Sequence, residues 1–380
     1  MDLTLPTPLL GGLTPATFMR RHWQKKPLLI RAAVPGGGAV VNRAQLFALA
    51  GEEAVDSRLV VHGDLGWSLR HGPFKRAAIP PLKQPRWTLL VQGLDLHLDA
   101  ARALLERFRF VPDARLDDVM VSYASDGGGV GPHVDSYDVF LLQVQGLRRW
   151  RVGRVTDPAL VPGVPLKILA HFEPEFDCLL EPGDMLYLPP GWGHDGVAEG
   201  ECLTCSIGFR AAGRGQLARD VLQRALDAAE PADGDTATDT LYRDPKQPAT
   251  AEPGRIPQAL QAFAGAAVAR TLSDERWLAC ALGEVLSEPK PGVWFEAPAA
   301  VPETGELRLD RRTRMLYDDW HIFVNGESYQ AAGRDARLMH QLADERVLPA
   351  RVQGLLSAAA RELLDDWLAA GWMRRDETKP

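Results

Sequence analysis

The chain has 380 residues, 46% of them hydrophobic, and a formal net charge of −7. That length allows two or three domains with a sizeable core, and the hydrophobic share excludes wholesale disorder. The acidic balance argues against a general nucleic-acid-binding surface, which is usually basic, and four cysteines in so long a chain exclude a disulfide scaffold. The N-terminus has no basic head before an apolar run, and no stretch approaches the roughly 18 apolar residues of a membrane span. A cytoplasmic protein without membrane contact is expected.

Thr14 followed by Pro15 reads as an N-cap and a first helical position, predicting a helix to about residue 23. A short apolar strand follows over 27–31, and Asn42 caps a second helix over 43–50. Short strands between 58 and 81 are broken by Gly63, Gly66 and Gly72. Residues 87–92 are rich in β-formers, 98–108 carry apolar residues at helical spacing, and 118–123 form the next strand. From there to Phe209, short strands alternate with glycine and proline turns, the texture of a compact β-barrel or jelly roll. Cys202 and Cys205 lie three apart on one such strand and so face opposite ways, one expected buried and one at the surface.

After Ala212 the texture changes. Leu217, Val221, Leu222 and Ala225 mark an amphipathic helix, 230–254 is an acidic connection, and helices follow over 257–270 and 273–286. Their small-residue faces predict a homodimer. Asn325-Gly326 is a two-residue hairpin signal between strands over 317–324 and 327–330. Residues 338–342 read as helix, and so does the run Leu356, Ala360, Leu363, Leu364 and Trp367, stopped by Gly371. The expected class is α+β: a β-barrel domain with N-terminal helices over 1–212, a helical block over 213–290, and a winged-helix-like module over 291–380.

The chemistry centres on the glycine-rich turn Gly127-Gly128-Gly129-Val130-Gly131-Pro132-His133-Val134-Asp135. Residues two apart on a strand point the same way, so His133 and Asp135 aim at one spot. His194, placed just past a strand over 185–188, supplies the missing partner. Two imidazoles and one carboxylate on one side of a metal leave its other positions open, the facial arrangement of non-haem Fe(II) oxygenases. A strand runs over 139–145, and beyond a turn at Gly146 Arg148 shares a face with Trp150 and Val152, opposite Arg149 and Arg151. A lone arginine among apolar neighbours needs an anion, and its fork of donors suits a carboxylate. Ser122, on the strand before the glycine turn, adds a hydroxyl. The plainer readings are a turn histidine at 133, a loop histidine at 194, a solvated basic edge over 148–154 and an ordinary strand serine.

The glycine turn, the run from Gln145 to Gly153 and the run from Glu181 to Pro190 together resemble the bacterial ribosomal oxygenases, which are JmjC (cupin-type) 2-oxoglutarate oxygenases. The likeness is dense over about residues 10–210. It implies a double-stranded β-helix, then a helical dimerisation region, then a winged-helix-like C-terminal domain. It further implies Fe(II) held by His133, Asp135 and His194, and 2-oxoglutarate paired with Arg148, with Ser122 as a second contact. O₂ is the other co-substrate, and succinate and CO₂ are released. The implied substrate is an arginine side chain of a large-subunit ribosomal protein. Asp126 and Tyr137 are the candidates to receive it, since a guanidinium needs acidic or aromatic company. The competing readings are histidine hydroxylation, N-methyl-lysine demethylation, a non-enzymatic metal-holding cupin module, and a DNA-binding regulator. Acidic stretches such as 362–366 weigh against the last, so no direct DNA binding is expected.

Overall fold

The Thr14 hydroxyl accepts the Thr17 backbone N–H at 3.0 Å and starts α1 (Pro15–Arg21), with proline at a position where no N–H is needed. The structure is a computed structural model that describes residues 2–38, 40–228, 241–246, 248–249, 253–298, 302 and 304–376. They fall into two units, Met1–Ala211 and Ala212–Pro380. Most of the acidic stretch 230–254 lies outside the described residues.

In the first unit α1 leads to β1 (Leu28–Ile30), then to α2 (Arg43–Leu49), which opens with a reciprocal capping box between Asn42 and Gln45. β2 (Ser57–Gly63) and β3 (Gly66–His71) form a hairpin, and β4 (Trp87–Val91), α3 (Asp99–Glu106) and β5 (Leu116–Ala124) follow. Then come β6 (His133–Val134), β7 (Val139–Arg154), β8 (Phe176–Leu180), β9 (Met185–Leu188) and β10 (Trp192–Phe209). The strand order is β1-β9-β7-β10-β5-β4-β2-β3, with β6 on β10 and β8 on β7.

The long strands β7 and β10 do most of the building. The first half of β7 pairs with β9 and with the end of β10, while its second half pairs with β8 and with the start of β10. The layers thus fold over one another as in a jelly roll. One apolar cluster, with Val139, Leu141, Trp150, Val152, Leu186 and Leu188, fills the inside. A larger one packs the outer face against the helices through Phe18, Leu46, Leu104 and Leu105. Phe18 is the hub, with ring centroids 4.9 Å from Tyr187 and 5.4 Å from Phe140. Each such pair adds about 0.5–1.5 kcal/mol beyond area burial.

Three expectations need correction here. Gly146 is not a turn: β7 runs unbroken through it, and Gly146 at φ +68 forms a bulge beside β10, where a Cβ would lie 2.1 Å from the Glu201 carbonyl. His194 does follow β9, but it lies within the next strand, near the start of β10, rather than between strands. Cys202 and Cys205 do face opposite ways, yet both are buried, because β10 runs between β7 and β5 with apolar clusters on either face.

The second unit begins with α4 (Arg214–Ala228), α5 (Gln258–Leu272) and α6 (Glu275–Ser287). The rest is β11 (Glu306–Leu309), β12 (Met315–Tyr317), β13 (Ile322–Val324), β14 (Glu327–Tyr329), α7 (Gly333–Glu345), β15 (Val347–Leu348), α8 (Ala350–Gln353), α9 (Ala358–Ala369) and β16 (Met373–Asp376). Asn325 and Gly326 both have positive φ, as a tight hairpin between β13 and β14 requires. The expected single strand over 317–324 is in fact β12 and β13, separated by a turn in which Asp318 accepts the N–H groups of Trp320 and His321. Leu342, Leu348, Leu364, Trp367 and Met373 lie at the core of this module.

Candidate metal and co-substrate site

Strand pairing sets the spacing of the two histidines. His133 on the two-residue β6 is the direct partner of His194 on β10, and side chains opposite one another on antiparallel strands project together. Their ring centroids are 4.2 Å apart. Asp135 completes the set, with Oδ2 3.6 Å from His194 Nε2, and one ligand atom from each of the three falls within 4.8 Å of the others.

The glycines before β6 are steric requirements. A Cβ on Gly129 would lie 2.5 Å from the Gly196 carbonyl, so the loop follows β10 backbone to backbone. Gly131 (φ +79) turns the chain, and its carbonyl accepts from His133 Nδ1 at 2.9 Å. The Trp192 carbonyl does the same for His194 Nδ1 at 3.2 Å. A carbonyl only accepts, so each Nδ1 carries the proton and each Nε2 lone pair is left for a metal. Burial pulls the His194 imidazole well below its ordinary pKa and raises the Asp135 carboxyl. A divalent cation is what lets a desolvated carboxylate stay ionised beside neutral imidazoles, so the donor set fits Fe(II) in type, tautomer and spacing. Just downstream, the buried Asp138 carboxylate accepts from Tyr187 at 2.6 Å and from Gln24 at 3.0 Å, anchoring the chain as it leaves the ligands.

Arg148 lies on the inner face of β7 with Trp150 and Val152, and all three are buried. Its Nη1 donates to Ser122 Oγ at 2.9 Å and to Thr204 Oγ1 at 3.4 Å, and Nη2 donates to the Gly196 carbonyl at 3.2 Å. Nε has no partner, and among the described residues no carboxylate pairs with the guanidinium. Burial lowers its pKa. A buried cation with neutral neighbours and a spare donor is a site for an anion. Trp150 joins the two ends of the site: its ring stands 5.0 Å from the Arg148 Cζ and 5.8 Å from the His194 ring. A Cβ on Gly196 would lie 2.6 Å from that ring, so only glycine fits opposite it. Arg149 and Arg151 point outward, pairing with Asp177, Glu199 and Asp195.

The remaining candidates separate. Ser122 is buried and contacts Arg148. Tyr137, partly exposed, has its phenol beside the Asp135 carboxylate, and burial and nearby carboxylates raise its pKa. Asp126 is not brought to the ligands. Its carboxylate accepts the Gly200 N–H at 2.8 Å, and Gly200 lies six residues along β10 from His194, roughly 20 Å at strand rise. Its observed contact holds a turn at the far end of the glycine segment. The sequence reading did not single out Thr204, Gln143 or the lining role of Trp150.

Residues 103–217 match the model of the JmjC domain, and residues 270–374 match that of the ROXA-like winged helix. The chain is 40% identical over 244 residues to the ribosomal protein uL16 3-hydroxylase of Escherichia coli, an alignment spanning 63% of this chain and 62% of that protein. It is likewise 40% identical over 214 residues to a probable ribosomal oxygenase of Haemophilus influenzae, covering 55% and 52%. The chain thus aligns with less than two thirds of each relative's length. The crystal structure of E. coli YcfD superposes with a TM-score of 0.83 at 30% identity, covering 96% of this chain and 98% of that one. The complex of YcfD, described as a ribosomal oxygenase, with cobalt and 2-oxoglutarate gives a TM-score of 0.76 at 29% identity, covering 95% and 98%. With a jelly roll carrying two histidines, an aspartate and a buried arginine, and with both of its matched modules, the chain belongs to the JmjC-type ribosomal oxygenases.

Proposed function

We propose that this chain hydroxylates an arginine side chain of a large-subunit ribosomal protein, with His133, Asp135 and His194 as the Fe(II) ligands and Arg148 as the anchor for 2-oxoglutarate. The observation that carries the reading is the buried guanidinium, without a counter-ion among the described residues and bridged to the metal ligands by Trp150. When bound, Fe(II) and 2-oxoglutarate supply the activation of O₂ that oxidises an unactivated carbon. The chain's own residues bind and orient. His133, Asp135 and His194 would hold the ion, Arg148 and Ser122 would take the distal carboxylate, and the buried Trp150 and Val152 would keep water from the slot between them.

A cationic substrate is supported by the local field. Tyr137, beside Asp135, also feels the carboxylates of Asp117 and Asp118, so a guanidinium approaching the metal meets negative charge and an aromatic ring. The name of the E. coli relative, a ribosomal protein uL16 3-hydroxylase, supports a ribosomal protein as the substrate. Incubating the purified protein with Fe(II), 2-oxoglutarate and an arginine-containing uL16 peptide is expected to give a +16 mass shift on the arginine with equimolar succinate. A shift on histidine, or loss of a methyl group from lysine, would replace the arginine reading.

We assign 1–212 to catalysis, 213–290 to self-association and 291–380 to the winged-helix module. The support for self-association is α5, an apolar helix whose residues 261–270 are exposed, including Phe263 and Val268. Ten consecutive exposed residues on such a helix need another surface in water. Val268→Asp is expected to convert a dimer into monomers in sedimentation velocity, and an unchanged sedimentation coefficient would refute the assignment.

A further inference from the structure

A regular strand alternates faces, so Gln143 and Arg148, five residues apart, belong on opposite sides of β7. Both are buried among the inward-facing groups. The bulge reconciles them. Thr204 of β10 pairs with Gln143, while the next residue back, Leu203, pairs with Gln145, so one residue of β7 is skipped before Gly146 at φ +68. Bulges re-aim side chains in this way and are frequent beside active sites. Before the bulge odd-numbered residues face inward, Val139 and Leu141 among them; after it Arg148, Trp150 and Val152 do.

The resulting contacts have a forced direction. Gln143 Nε2 donates to the carbonyls of Gln145 at 2.9 Å and Gly146 at 3.2 Å. Carbonyls cannot donate, so the amide cannot be flipped and its oxygen must face Thr204. The Thr204 hydroxyl therefore donates to Gln143 Oε1, at 2.9 Å, and turns its lone pairs toward Arg148 Nη1, at 3.4 Å. Ser122 Oγ takes the other Nη1 proton, and the Gly196 carbonyl takes one from Nη2. Two donors then remain, the Nε proton and one Nη2 proton, and a carboxylate has two oxygens to accept them.

We propose that Gln143 is a positioning residue for co-substrate recognition: held by the bulge carbonyls, it orients Thr204, which fixes the Arg148 guanidinium so that its remaining donors face the distal carboxylate of a five-carbon 2-oxo diacid. The inference rests on the reading of Arg148 given above and extends it to a residue that touches no ligand. A guanidinium whose rotation is set from behind selects chain length as well as charge. A loosened one still attracts a dicarboxylate but no longer distinguishes its length.

The test is calorimetric binding of 2-oxoglutarate and of its one-carbon-longer homologue, 2-oxoadipate, to the full chain loaded with Mn(II), which removes turnover from the readout. Gln143→Met is expected to weaken 2-oxoglutarate binding about tenfold, as loss of an outer-shell partner does, and to narrow the preference over 2-oxoadipate. Thr204→Val is expected to match it and Thr204→Ser to restore wild-type values, so the inference does not depend on one buried variant folding. The double variant Gln143→Met/Thr204→Val should be no weaker than either single, since the two act along one path. Arg148→Gln separates the two layers of the argument. If it abolishes binding while Gln143→Met and Thr204→Val bind and discriminate as the wild type does, the positioning role is overturned and the Arg148 reading stands. If Arg148→Gln itself binds normally, both fall.

Discussion

Arg148→Met is expected to make the ligand-free protein more stable and blind to 2-oxoglutarate. The guanidinium is buried, its Nε has no partner and its hydrogen-bond acceptors are neutral. Replacing such a charge with an apolar side chain of similar length removes a desolvation cost, a gain of about 1–3 kcal/mol by analogy with buried ionic groups. Binding goes the other way. Two charge-assisted hydrogen bonds at about 1.5–3 kcal/mol each correspond to roughly 10²–10⁴-fold in affinity. Denaturant melts of wild type and variant, with and without saturating 2-oxoglutarate, read both effects at once. A variant that still gained stability from the ligand would remove the arginine from the site.

Asp135→Ala is expected to leave a folded chain that holds divalent metal poorly and hydroxylates nothing. The carboxylate is the only anionic member of the set, 3.6 Å from His194 Nε2, and without it two neutral imidazoles face the ion. Loss of metal-dependent chemistry is expected to exceed about 10³-fold in turnover. The metal-free chain should change stability by no more than an ordinary point substitution, about 1 kcal/mol, since burial already opposes ionisation of this carboxyl. Metal content by mass spectrometry of the ion, peptide hydroxylation and a thermal melt together make the check. A metal held for structure alone would show the reverse pattern, with the melt collapsing.

The helix starts at Thr14 and Asn42 were legible because a cap is a local event: a side-chain oxygen meets an N–H three residues on. The His133–Asp135 pair was legible for a similar reason, being fixed by strand alternation over two residues. Arg148 was legible because everything after Gly146 alternates regularly. Gln143 and Thr204 were not, because linking them to Arg148 requires the register shift between β7 and β10, and register is set by the pairing of distant strands. Asp126 shows the converse error. It is close to His133 in sequence, but the segment between them is extended and carries it away along β10. The cysteines were misjudged because surface exposure on one face of β10 presumed an open sheet, whereas that sheet is covered on both sides.

The irregularity at Gly146 acts as a phase change in an otherwise two-beat rhythm. Straightening the strand there with every residue kept would bring back strict alternation and carry the guanidinium out of the cavity toward the outer packing of Phe140 and Leu142. Deleting a single residue between Gln143 and Arg148 together with the bulge would instead leave an even step, and both side chains would stay inside. Natural loss of one residue at this spot should therefore occur together with loss of the bulge, or with a matching change on the neighbouring strand.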